Sequence, residues 1–247
     1  MKKIFVLIGS RQKKGNTAGF AKRITDRLDK EKFEVEYAFP QDFNIAPCMG
    51  CSQCFVRTNC VNRDDLNLLH EKILESDLFI IASPVYMHYF TADLKLIIDK
   101  SSWWAHTFRL QGKPVVILST CGTNGFDTVT KPLGEIMSYM GGNVIASANA
   151  AMIPDQLDNE EWMEKVSGEI AGRINKYAYI PHESNKYIER TFPYMKASVQ
   201  LQKEHKENSN LDIEFGEYNY WRDTGMLNYD SFEDYLKEKY KCKEVVV

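Results

Sequence analysis

Short apolar runs alternate with longer amphipathic segments along the first 150 residues of the chain. A continuous apolar run is typical of a strand buried on both faces of a sheet, whereas apolar residues three or four positions apart indicate a helix. The pattern predicts five strands, at about residues 3–8, 33–39, 78–82, 114–119 and 143–148. It also predicts helices at about residues 16–29, 64–75, 92–102, 128–139 and 159–179.

This alternation of strands and helices predicts a doubly wound α/β fold. Parallel strands need crossover connections, and right-handed crossovers place helices on both faces of the sheet. We therefore expect a five-stranded parallel sheet of the flavodoxin-like kind. In such sheets ligands bind beyond the carboxyl ends of the strands, at the point where the strand order reverses. Binding residues are thus expected in the segments that directly follow the strands.

Residues 181–247 do not continue this alternation. They are polar overall but contain many large aromatic side chains, among them Phe192, Tyr194, Phe215, Tyr218, Tyr220, Trp221, Phe232 and Tyr235. Disordered tails are usually poor in aromatics, so we expect an ordered extension that packs on the core or on a second subunit. The predicted organisation is a binding domain at residues 1–180 and an extension at residues 181–247 that serves packing or oligomerisation.

Charge and hydropathy indicate which kinds of partner and which location to expect. The net charge of −3 and the scattered basic residues argue against a nucleic-acid interface or an anionic membrane patch. The apolar run near the N-terminus covers only residues 4–8, which indicates a buried strand rather than a signal peptide. We expect a cytoplasmic protein whose partners are small molecules or other proteins.

The turn after the first strand, residues 9–17, reads GSRQKKGNT and leads into a predicted helix. Backbone N–H groups at a helix N-terminus attract phosphate, and Ser10, Asn16 and Thr17 offer side-chain donors beside the charge of Arg11. The turn has neither the G-x-G-x-x-G spacing of a dinucleotide site nor the G-K-[ST] of a P-loop. It predicts a phosphate site, with an ordinary strand-to-helix turn as the alternative.

A second turn, residues 82–90, reads ASPVYMHYF after the third strand. Pro84 restricts the backbone there and leaves residues 85–88 at the carboxyl edge of the sheet, where they can hydrogen-bond a flat heterocycle. Tyr86 and Met87 add flat or polarisable surface. The alternative is a well-packed turn with Tyr86 in the core.

Together the two turns resemble the flavodoxin-like NAD(P)H-dependent FMN reductase superfamily, whose members show S-x-R-x-x-G-N-T and a later S-P-V-Y. The matching residues are Ser10, Arg11, Gly15, Asn16 and Thr17, then Ser83, Pro84, Val85, Tyr86, Leu94, Lys95, Asp99 and Lys100. The resemblance implies that the first set binds the phosphate of FMN. It also implies that Pro84, Val85, Tyr86 and Met87 contact the isoalloxazine ring, and that Thr120, Cys121 and Gly122 form a third binding segment.

Four of the six cysteines fall close together, as C-x2-C-x2-C-x5-C at Cys48, Cys51, Cys54 and Cys60. Structural zinc sites usually pair two C-x2-C knuckles across a longer insert, so this spacing favours a compact 4Fe–4S cluster. A bare thiol or disulfide-prone loop and a zinc site are the alternatives. The box also resembles that of the iron-sulfur flavoproteins, a branch of the same superfamily, which implies that the four cysteines are cluster ligands.

The sequence therefore predicts an FMN-dependent oxidoreductase or electron-transfer flavoprotein, with the 4Fe–4S cluster on the cysteine box. Its electrons would come from NAD(P)H or from a ferredoxin-type protein, and the protein would form a homodimer or homotetramer. One alternative is a cluster-free NAD(P)H-dependent FMN or quinone reductase. A second is a non-enzymatic scaffold that uses the cysteines as a structural metal knuckle.

Overall fold

The computed structural model describes residues 1–209 and 214–244, so parts of the predicted extension and the side chain of Cys242 lie outside the described residues. Five strands form one sheet: β1 (Lys2–Ile8), β2 (Phe33–Ala38), β3 (Leu78–Pro84), β4 (Pro114–Cys121) and β5 (Asn143–Ala151). All neighbours are parallel, in the order β2-β1-β3-β4-β5. The predicted doubly wound five-stranded sheet is confirmed, and its order reverses beside β1.

Ten helices are described: α1 (Asn16–Thr25), α2 (Gln53–Arg57), α3 (Leu66–Glu75), α4 (Ala92–Lys100), α5 (Trp104–Thr107), α6 (Thr130–Tyr139), α7 (Glu160–Tyr177), α8 (Lys186–Ser209), α9 (Gly216–Thr224) and α10 (Phe232–Glu244). The helix predicted for residues 16–29 ends at Thr25 and continues as turns. The cysteine segment, for which the sequence pattern predicted neither a strand nor a helix, contains α2. Helices as short as α2 and α5 show too few turns to give a periodic signal.

The sheet separates two apolar cores, as the alternation of side chains along β1 shows. Ile4 and Val6 pack in the cluster that contains Phe20 of α1, while Phe5 and Leu7 pack in the cluster that contains Leu69 of α3. Successive side chains of a strand point to opposite faces, so a strand covered by helices on both sides must be apolar throughout. This arrangement explains the continuous apolar runs in the sequence.

A third cluster joins the C-terminal extension to the rest of the chain. Phe108 directly follows α5 and is fully buried. Its ring centroid lies 5.8 Å from Phe192, 5.8 Å from Trp221 and 5.4 Å from Phe232. Aromatic rings at these separations bury large apolar areas and pack favourably. Phe192, Trp221 and Phe232 of the extension thus pack on the body of the same chain, whereas Tyr194 is largely exposed.

The extension begins with α8, a 24-residue helix that contains Pro193. Charged side chains interrupt its sequence at short intervals, so only one face can pack against the body.

Within residues 1–209 and 214–244, no helix combines the length and the apolar composition needed to cross a bilayer.

Candidate functional site

Three turns meet at the carboxyl edge of the sheet, after β1, β3 and β4. The hydroxyl oxygens of Thr17 and Thr120 lie 2.6 Å apart, so the start of α1 is joined to the end of β4. The backbone N–H of Val85 donates to the Thr120 carbonyl at 2.8 Å, which joins the turn after β3 to the same strand. The segments that the sequence singled out separately are therefore brought together at one edge.

The turn after β1 presents backbone N–H groups at the start of α1. Its N-cap is Gly15, which has no side chain that could cap the first N–H groups of the helix. The Gly15 N–H itself donates to the Gln12 carbonyl at 3.0 Å, which closes the turn. Ser10 and Thr17 are buried within the turn, whereas Asn16 is exposed. An amide-lined helix start of this kind fits a phosphate group.

Arg11, the expected source of positive charge, is held by a carboxylate. Its guanidinium donates to both carboxylate oxygens of Asp93, at 2.7 and 2.9 Å. Hydrogen bonding and charge attraction within this pair raise the pKa of Arg11 and lower the pKa of Asp93. Because Asp93 balances its charge, Arg11 contributes less positive charge to this turn than an unpaired guanidinium would.

Two further residues shape this turn: Thr91, which the sequence analysis missed, and Gly9, the glycine at the end of the first strand. Thr91, the N-cap of α4, donates from Oγ1 to the Gly9 carbonyl at 2.6 Å. A Cβ built on Gly9 would lie 2.9 Å from Cβ of Leu94, so a larger residue does not fit between β1 and α4. A glycine directly at a strand end was the signal that could have identified this close approach.

The turn after β3 is tight and exposed. The backbone groups of Tyr86 and Tyr89 exchange two hydrogen bonds, of 2.9 and 3.1 Å. Between them, Met87 and His88 have φ values of 47° and 59°, a left-handed conformation that costs most residues about 1 kcal/mol or more. The side chain of Met87 is almost fully exposed and that of Tyr86 is half exposed. The turn thus offers apolar surface at the edge where a planar ligand would lie.

The segment after β4 combines buried and open positions. Thr120 and Cys121 are buried, and the Cys121 thiol accepts from the Asn149 side-chain amide at 3.2 Å. A Cβ built on Gly122 would meet no atom within 4 Å, so the chain is open to solvent there. Backbone at Gly122 is consequently accessible to a ligand that lies across the edge.

The cysteine box follows β2 and surrounds α2. Cys48 and Cys51 are exposed, while Cys54 and Cys60 are partly buried. Burial raises the pKa of the Cys54 thiol, and a hydrogen bond with the Ser102 side chain offsets part of this rise. Among residues 1–209 and 214–244, no group of three or more His, Cys, Asp or Glu side chains is gathered as a metal site. Four thiolates suit iron chemically, but the exposed segment would have to close around a cluster.

The strand order and the turns at the carboxyl edge of the sheet are those of a flavodoxin-like protein. A family model described as "NADPH-dependent FMN reductase" matches residues 2–155. Because the match covers more than half of the chain, the protein belongs to the NADPH-dependent FMN reductase family. The predicted resemblance and the predicted class of flavin-dependent oxidoreductase are thereby confirmed.

Individual relatives agree with this assignment. An iron-sulfur flavoprotein of Archaeoglobus fulgidus is 27% identical over 230 residues, which cover 90% of this chain and 98% of the relative. An iron-sulfur flavoprotein of Methanosarcina thermophila is 31% identical over 150 residues, or 60% of this chain and 78% of the relative. The fold is similar to that of RosB, solved with a bound 8-demethyl-8-formylriboflavin-5'-phosphate, with a TM-score of 0.61, 18% identity and coverage of 86% and 89% of the two chains.

Proposed function

We propose that the carboxyl edge of β1, β3 and β4 binds FMN and that the cysteine box holds a 4Fe–4S cluster. The observation that supports the flavin site most strongly is the glycine-capped start of α1, tied to β4 through Thr17 and Thr120. Bound FMN supplies both hydride and single-electron transfer. A 4Fe–4S cluster supplies electrons one at a time.

Each segment of the edge has a part in binding. The N–H groups of residues 16–18 and the hydroxyls of Ser10 and Thr17 hold the phosphate, and the helix dipole of α1 adds attraction for its negative charge. Pro84, Val85, Tyr86 and Met87 support the ring system from the turn after β3. Thr120, Cys121 and Gly122 line a third side, while Arg11 orients the turn through Asp93.

Cys48, Cys51, Cys54 and Cys60 hold the cluster in this proposal. Two facts support it: the spacing of the four cysteines, and the iron-sulfur flavoproteins among the relatives, one of which aligns over 90% of this chain. The box lies on the segment between β2 and α3, which leaves the sheet at its carboxyl edge, and this supports electron transfer between the two groups. The cluster-free NAD(P)H-dependent FMN or quinone reductase is the second candidate.

The proposal extends to the electron donor, the assembly, the location and the domain organisation. We propose NAD(P)H or a ferredoxin-type protein as the electron donor and a homodimer or homotetramer as the assembly. Exposed apolar side chains at the ligand edge, including Met87, Phe126, Met152 and Ile153, support an assembly that covers this surface. We also propose a cytoplasmic location, and a division into a flavin-binding unit at residues 1–180 and an extension at residues 181–247.

An anaerobic purification tests the proposal directly. We expect protein with a flavin spectrum, released FMN at close to one per chain, and iron and acid-labile sulfide in equal amounts. A variant with Cys48, Cys51 and Cys54 changed to serine should lose the iron but keep the flavin. Flavin without iron in the native protein would favour the cluster-free reductase. Protein that binds no FMN would contradict the proposal as a whole.

A further inference from the structure

We propose that the C-terminal extension positions the cysteine box, because α9 holds α2 in place and with it the half-buried Cys54. The importance of this contact for redox chemistry rests on the proposed cluster. The contact itself consists of atoms that are present whether or not a metal is bound, so it can be tested separately.

Helix α2 needs outside support. It has five residues, none of them fully buried, and isolated helices of this length are unstable because nucleation is costly. The residues on either side, Ser52 and Thr58, have φ values of 56° and 51°. Left-handed backbone at non-glycine residues adds further cost. The conformation around Cys54 must therefore be maintained by contacts from elsewhere in the chain.

One such contact is between backbones. A Cβ built on Gly216, the first residue of α9, would lie 2.6 Å from the carbonyl oxygen of Val56 and 2.9 Å from the carbonyl carbon of Arg57. Real Cβ atoms do not approach backbone so closely, and backbone atoms cannot rotate away as a flexible side chain can. Glycine at position 216 therefore allows α9 to begin directly against the end of α2.

A second contact runs through side chains. The Phe55 ring, next to Cys54 in sequence, lies 4.7 Å from the His106 ring at an interplanar angle of 31°. His106 Nδ1 lies 2.8 Å from Oε1 of Glu217, a carboxylate that is almost fully buried. Glu217 also accepts from the Gln202 side-chain amide of α8 at 2.7 Å. Two helices of the extension thus hold the imidazole that packs on Phe55.

His106 is itself fixed from the extension. Its backbone carbonyl accepts from the indole N–H of Trp221 at 2.8 Å, and Trp221 is fully buried in the third apolar cluster. Loosening the extension would therefore release His106, then Phe55 and the helix that bears Cys54. Gly216, Glu217 and His106 are therefore positioning residues for the box.

Residue-resolved alkylation of metal-free protein tests this inference. Iodoacetamide labelling followed by mass spectrometry gives a rate for each thiol in Gly216→Ala and in the native chain. We expect Cys54 to react at least about fivefold faster in the variant, because overpacking against backbone displaces α2. Exposed Cys48 and buried Cys121 should keep their native rates. The control is Gly172→Ala in α7, where an added Cβ meets no atom within 4 Å.

His106→Ala is a second variant, to be used if Gly216→Ala does not fold. The His106 side chain is partly exposed, so its removal should be tolerated, and it leaves Phe55 without its ring partner. This variant should also increase the rate at which Cys54 is alkylated. The inference would be wrong if both variants fold and Cys54 is alkylated in them at the same rate as in the native chain. Both variants should retain native FMN affinity, and after anaerobic reconstitution they should hold less iron per chain. If the native chain takes up no iron, the cluster proposal fails while the alkylation rates still decide the positioning role.

Discussion

The side chains of Thr17 and Thr120 share a hydrogen bond of 2.6 Å between their hydroxyl oxygens, both of them buried. It connects the first turn of α1, where the proposed phosphate donors lie, to the last residues of β4. Two segments that are about a hundred positions apart in sequence thereby form one binding surface.

Thr120→Val should destabilise the ligand-free protein by about 1 to 3 kcal/mol, because it leaves the buried Thr17 hydroxyl without this partner. It should also weaken FMN binding by roughly tenfold, because the Thr17 hydroxyl is then no longer held in position for the phosphate. Fluorescence titration of the apoprotein with FMN measures the change. Thr191→Val is the matched control, since Thr191 lies in α8 and donates to the Tyr187 carbonyl of its own helix. Equal loss of affinity in both variants would contradict a local role for Thr120.

Asn16→Glu should lower FMN affinity, because a carboxylate at the first position of α1 repels the phosphate. The apoprotein should at the same time become slightly more stable, by about 0.5 kcal/mol, since negative charge at a helix N-terminus is favourable. Asn16→Gln has nearly the same shape without the charge and should bind FMN almost normally. FMN titration and urea unfolding measure the two effects. Weaker binding together with higher stability in the glutamate variant would show that its charge repels the phosphate, because a general disruption of the turn would lower both.

Asp64→Asn should destabilise the protein by about 3 to 5 kcal/mol, because Lys100 would remain buried without its counter-ion. The two side chains form an ion pair and are almost completely buried. Asp64 also accepts from the backbone N–H of Ala46 at 3.0 Å, near the start of the cysteine segment. Asp99→Asn breaks the exposed pair with Lys95 and should cost less than about 0.5 kcal/mol. Urea unfolding of both variants provides the comparison.

His70 should make stability depend on pH below neutrality. Burial, followed by repulsion from Arg109 and Lys100, lowers its pKa to about 3. Its Nε2 is 2.7 Å from the Ser101 hydroxyl, and its ring contacts Trp104. Unfolded chains protonate histidine near pH 6.5, so below that pH the unfolded state binds a proton that the folded state excludes, and stability falls as the pH decreases.

The slope attributable to His70 should reach at most about 1.4 kcal/mol per pH unit, between about pH 6.5 and pH 3. Carboxylates with a lowered pKa, such as Asp93, lose their stabilising effect only at more acidic pH. The pH dependence of the free energy of unfolding between pH 6.5 and 5 therefore reports on the histidine. His70→Gln should flatten the stability profile in that interval. An unchanged profile in urea unfolding experiments would show that His70 is protonated in the folded protein.

The positions of several candidate binding residues could be predicted because these residues lie next to strands with a clear apolar pattern. Ser10, Pro84 and Thr120 each end or follow such a strand, and strand ends in a parallel sheet converge on one edge. Thr91 was missed because its importance comes from a contact between α4 and the turn after β1, which local sequence does not reveal. Arg11 was expected to offer free charge, but its pairing with Asp93 depends on how α4 packs.

The sequence by itself determined the parallel sheet, the edge that carries the turns, and the family, because continuous apolar strands and short motifs are local properties of the chain. The tertiary structure decided how the C-terminal aromatics pack on Phe108, how the cysteine segment acquires α2, and why glycine is required at position 216. These features arise from contacts between residues far apart in sequence. Such contacts depend on the shape of both partners, which neither hydrophobic periodicity nor residue spacing encodes.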